Sequence, residues 1–81
     1  MMEIELLNNG LLIQKESIIF SCRTEDIFFL SASINNVIDL TVRIKDGTEK
    51  YFTFDKSELK NITRILTYFC VKLDGEKCEI Q

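Results

Sequence analysis

VIDLTVRIK, residues 37–45, is followed by Asp46-Gly47 and then by TEKYFTF, residues 48–54. In the first run Ile38, Leu40, Val42 and Ile44 alternate with Asp39, Thr41, Arg43 and Lys45, the period-two pattern of a strand with one face buried. In the second, Phe52 and Phe54 share a face. A two-residue loop at 46–47 would pair Val42 with Tyr51 and set both phenylalanines against the polar row. A three-residue loop changes the parity and puts them beside the aliphatic row. Because a slip of one residue moves every side chain to the other face, we expect the three-residue loop, with Gly47 in its left-handed position.

Outward from this hairpin, turn signals divide the chain into short runs. Residues 2–7 and 11–15 flank Asn8-Asn9-Gly10, a hairpin turn of residues that tolerate positive φ. Residues 17–23 (SIIFSCR) and 27–33 (IFFLSAS) are strands by their β-branched and aromatic content, separated by Thr24-Glu25-Asp26. Asn35-Asn36 marks the next tight turn.

At residues 56–73 the period changes. Leu59, Ile62, Leu66, Phe69 and Leu73 recur at 3-4-3-4 spacing with Ile65 beside them, which is the apolar stripe of a helix. Asp55 can cap it, Glu58 can complete a capping box, and Lys72 and Gly75 suit its end. Residues 76–81 read as a tail or a short edge strand. The expected fold is α+β: a small antiparallel meander of five to six strands covered by one C-terminal amphipathic helix. In order of elements this resembles pleckstrin-homology-like domains. No motif accompanies the resemblance, and no site is carried over from it.

Eighty-one residues make one domain. A chain this short buries only about 60% of the surface it exposes when unfolded, so its core is thin. With 46% hydrophobic and 28% charged residues it falls in the globular range rather than the disordered one. No stretch approaches the roughly 18 apolar residues of a membrane span. The start has neither the basic nor the apolar region of a signal peptide. Three cysteines (Cys22, Cys70, Cys78), no C-x-x-C and no histidine fit free thiols in a cytoplasmic setting, and cannot complete an ordinary structural zinc site.

The absence of histidine also excludes a cysteine–histidine nucleophile. Gly10, Gly47 and Gly75 are isolated, so no phosphate-cradling loop exists. The adjacent Glu25 and Asp26 sit in a turn, where a catalytic carboxylate pair would lack a cleft. Ser57 and Lys60 have the spacing of a serine–lysine pair, but Ser57 falls in the first turn of the helix. Cys22 reads as a small core hydrophobe. We therefore expect no enzyme, no cofactor, no metal and no small-molecule substrate.

Two features bear on partners. First, Phe20, Cys22, Phe28 and Leu30 take the phase opposite to Ile27 and Phe29, if Phe29 sits over Val42. One helix about 27 Å long covers one face of a small sheet and not two. Either the sheet curls and buries both faces, or Phe20, Phe28 and Leu30 form an interface for another protein or a second copy of the chain. Second, Lys56, Lys60, Arg64 and Lys72 form a basic row on the helix, which reads first as a solvated face and second as a contact for a protein or nucleic acid.

Net charge is −3, which argues against general nucleic-acid binding. The acidic excess lies in residues 1–39, net −4, against +1 for residues 40–81. Eleven isoleucines with few arginines and no proline or tryptophan match the composition of AT-rich genomes. The sequence thus points to a small cytoplasmic protein-binding module, of the kind phages and mobile elements use to inhibit or redirect a host protein. The alternative is a nucleic-acid-associated regulator using the basic helix row.

Overall fold

A computed structural model of the chain describes residues 3–72 and 78–80, with side chains up to Cys70. The fold is α+β, but its strands do not form a single meander. They divide into two sheets. Strands β1 (Ile4–Leu6), β2 (Gly10–Lys15) and β3 (Ile18–Arg23) form one antiparallel sheet in the order β1-β2-β3. Strands β4 (Ile27–Ile34), β5 (Ile38–Ile44), β6 (Glu49–Phe54) and β7 (Cys78–Ile80) form the other, in the order β6-β5-β4-β7. Residues 76–81 thus include an edge strand, and it runs parallel to β4.

The hairpin that decides the register closes as its parity requires. Leu40 lies opposite Phe52 and Ile38 opposite Phe54, with three loop residues between Ile44 and Thr48. Gly47 takes φ 97° there. The Thr48 amide donates to Asp46 Oδ1 at 2.8 Å, and the Ile44 amide donates to the Thr48 carbonyl at 2.9 Å. The first hairpin is built differently from its sequence reading. Leu7 and Gly10 pair across Asn8-Asn9, and none of these residues has a positive φ. Gly10 is instead a buried residue of β2, where a Cβ would collide with the Cys22 carbonyl oxygen and stand 3.2 Å from Arg23 Cα.

A 3₁₀ turn at Lys56–Glu58 leads into the helix α1 (Leu59–Lys72). Asp55 caps it by accepting from the Ser57 amide at 2.9 Å. Glu58 does not return the bond, for its Oε1 is buried without a partner. Ile62, Ile65, Leu66 and Phe69 are buried, while Leu59, expected at the head of the stripe, stays exposed. Leu73 and Gly75 lie outside the described residues. No described helix is long and apolar enough to cross a membrane.

All three layers share one core. Ile4, Leu11 and Ile13 come from the first sheet, Leu30, Leu40, Val42 and Phe54 from the second, and the four helix residues complete it. Such burial stabilises by roughly 25 cal/mol per Å² of apolar surface, the main favourable contribution in a domain this small.

Candidate protein-binding edge

The three residues expected to form an apolar interface are not brought together. Leu30 is fully buried and lies opposite Val42. Phe20 is half-buried and meets Phe52 with ring centroids 5.5 Å apart. Only Phe28 faces solvent, at 40% exposure. The cause is a break in the alternation of β4: Ile27 pairs with Ile44 while Phe29 pairs with Arg43, so the register shifts between them. A bulge of this kind inserts one residue and reverses the phase of the strand beyond it. Ile27 and Leu30 therefore both point inward and Phe28 is displaced outward. Phe29 sits beside Arg43, whose guanidinium lies 5.4 Å from the ring centre. The expectation that Phe29 lies over Val42 is corrected.

The basic row is partly described. Lys56, Lys60 and Arg64 are exposed, and Lys72 has its side chain outside the described residues. Arg64 Nη2 donates to Asn61 Oδ1 at 2.9 Å, and Asn61 Nδ2 donates to the Ile4 carbonyl at 2.8 Å. The second bond ties α1 to β1. Glu25 and Asp26 both pair with Arg23, at 3.2 and 3.6 Å, on an exposed turn.

Cys22 borders an open cleft of about 660 Å³ between the β1–β2 turn and the end of β3, lined also by Asn9, Arg23 and Asp26. Burial, with the Asp26 charge adding to it, pushes its thiol up to about 11. Such a thiol is protonated at neutral pH and a poor nucleophile. Among the described residues, no group of three histidine, cysteine, aspartate or glutamate side chains stands close enough to hold a metal ion.

The sequence reading missed the start of β3. Ile18 is 57% exposed and Ile19 74%. A strand turns successive side chains to opposite faces, so two adjacent exposed isoleucines mean that neither face is covered there. The signal was available: an Ile-Ile pair directly after a two-residue turn places one isoleucine outside whatever the register. β3 is also an edge of its sheet. In its two-residue hairpin with β2, closed by Lys15 and Ile18, the residues that turn their backbone groups away from β2 are Ile19, Ser21 and Arg23. These groups have no backbone partner among the described residues.

The chain matches no protein-family model, no curated protein and no solved structure. The chemistry of the site therefore rests on its own geometry: a six-residue strand edge, apolar at one end, open along its backbone. Natural sheets usually blunt such edges with charge, proline or a covering element. β6 is blunted in this way, by Glu49, Lys50 and the succeeding Asp55. Across Ile18–Cys22, β3 is not.

Proposed function

We propose that this chain is a small non-catalytic protein-binding module that presents the β3 edge to a protein partner. The observation that carries the reading is the exposure of Ile18 and Ile19 on an edge strand with unpaired backbone groups. Strand addition to such an edge takes its affinity from main-chain hydrogen bonds and its specificity from alternate side chains. A domain of this size that adds a strand acts by covering a surface, as an inhibitor or accessory regulator does. The isoleucine-rich, arginine-poor composition supports the narrower reading of a phage- or mobile-element-type regulator acting in a host cytoplasm. The alternative, nucleic-acid contact through Lys56, Lys60, Arg64 and Lys72, draws on the exposure of the first three and is opposed by the net charge of −3.

A photo-crosslinking residue placed at position 19 in cells tests the reading, with position 60 as the control. Protein adducts at 19 and not at 60 support the edge. Absence of adducts at 19 overturns it, and nucleic-acid adducts at 60 would favour the alternative.

A further inference from the structure

We propose that the outer face of the first sheet docks a cationic amphipathic helix of another protein. The inference goes beyond strand addition at β3 and shares only Ile19 with it. In each strand of this sheet one set of side chains packs on the core: Ile4 and Leu6, Leu11 and Ile13, Phe20 and Cys22. Strand alternation turns the other set outward. Ile19 is 74% exposed there, Leu7 43%, and Leu12 is half-buried, so the face is left uncovered.

The register arranges these residues. Gln14 lies opposite Ile19, and Leu12 lies opposite Glu5 on one side and Ser21 on the other. The apolar members therefore fall on one diagonal: Ile19 on β3, Leu12 on β2 and Leu7 just past β1. Diagonal neighbours of this kind stand about 7–8 Å apart, close enough to share one apolar partner surface. Glu3 and Glu5 lie together on the β1 side of the diagonal, and neither has an ion pair among the described residues. On the other side Arg23 is already held by Glu25 and Asp26. The face thus presents an apolar line with uncompensated negative charge along one border.

The outer face of the second sheet is different. There Arg43 meets Glu49 at 2.6 Å and Thr53 donates to Asp39 at 3.2 Å, so its charges are answered within the chain. On the first sheet the answer has to come from a partner. Three strands set about 4.8 Å apart are roughly 10 Å across, the width of one helix. A helix with apolar residues at three- and four-residue spacing covers the diagonal, and lysines or arginines on its β1-side flank meet Glu3 and Glu5. The same two charges repel nucleic acid and anionic lipid, which favours a protein. A contact of one helix on three short strands is small, which places its dissociation constant between roughly 10 µM and 1 mM.

The probes are two synthetic helices of about 18 residues, each with leucine on one face, flanked by lysine in one and by glutamate in the other. Titration calorimetry of the full chain should show the lysine peptide binding in the range above, more weakly as salt is added, and the glutamate peptide not binding. Glu3→Lys and Glu5→Lys should each keep a cooperative melt and weaken binding at least about fivefold. Asp39→Lys, the same charge change on the outer face of the second sheet, should leave it within about twofold. No binding of the lysine peptide up to about 1 mM, equal binding of the glutamate peptide, or an Asp39→Lys as damaging as Glu5→Lys overturns the docking face. Protein adducts at position 19 in cells that disappear in Glu3→Lys and Glu5→Lys belong to the face. Should the lysine peptide fail while those adducts persist in both variants, the face falls and the β3 edge stands.

Discussion

Phe20 of β3 and Phe52 of β6 meet with their rings tilted by 45° and their centroids 5.5 Å apart, and they join two strands that share no backbone ladder. Lys15 reinforces the seam, donating from Nζ to the Thr53 carbonyl and standing 5.4 Å from the Phe54 ring. Elsewhere the helix closes the core, held to β1 by Asn61. The apolar residues left over by a one-helix sheet are therefore consumed inside, where two sheets and a helix face each other. Phe28 alone of the expected trio is left facing solvent.

That arrangement separates two neighbouring residues. Leu30→Asp places a charge in a site with no exposure and no charged neighbour among the buried residues, and it should abolish folding. Phe28→Asp, two positions earlier on the outside of the bulge and 40% exposed, should cost less and keep a cooperative, though lowered, thermal transition. Circular dichroism melts of the pair check both. Unfolding of both would mean that the outward displacement of Phe28 does not lower the cost of a charge there.

How far the sequence could be read depended on whether parity held. The hairpin at 46–47 was legible because one residue more or fewer sends Phe52 and Phe54 together to the other face, and only one choice sets them beside the aliphatic row. Helix α1 was legible because Ile62, Leu66 and Phe69 leave no other period. The bulge at Ile27–Phe29 was not, since alternation before and after it looks regular and only the pairing with β5 reveals the slip. The division into two sheets was hidden for a related reason: a meander fixes which strands are neighbours in sequence, not whether β3 and β4 pair. The 3₁₀ turn at Thr24–Asp26 carries the chain from one sheet to the other. For the site, composition showed the absence of histidine, while the open edge needed the sheet order.

The two described glycines should respond differently to the same change. Gly47 has open space around its missing Cβ and φ 97°, so Gly47→Ala meets backbone strain alone, about 1 kcal/mol. Gly10→Ala meets the Cys22 carbonyl and must push β2 from β3, a backbone displacement of the class that costs about 1–3 kcal/mol or more. Urea denaturation should rank Gly10→Ala as the more damaging. Equal midpoints would mean that the β2–β3 ladder yields without cost.

Asp55 should make the helix cap sensitive to acid. The Ser57 amide donates to its carboxylate and holds its pKa below the ordinary value of 3.8. The folded state therefore releases this proton more readily than the unfolded state. The resulting stability is present above the ordinary value and is lost as pH falls through the lowered one. Asp55→Asn keeps a capping oxygen without the charge, and should melt earlier than the parent at pH 7 but alongside it well below pH 3. A gap between the two melts that persists in strong acid would show that the charge is not what the cap supplies.

Cys22 gives the opposite dependence, at the alkaline end. An unfolded cysteine loses its proton near 9.0, whereas in the fold burial first, and the Asp26 charge second, hold the proton to about 11. Between those values the folded chain binds more protons than the unfolded one, so stability falls as pH rises and levels off once both forms have titrated. Below about 9 the group makes no difference to the slope. Cys22→Ala should remove part of the alkaline loss while leaving the slope between pH 6 and 8 unchanged, as read from urea midpoints at each pH. The same protonated thiol should react slowly with a disulfide reagent at pH 7.5 and faster on addition of urea, because attack requires the thiolate. Rapid labelling of Cys22 in the native protein would show a thiolate already formed, and the cleft beside it would then have to be read as a reactive site.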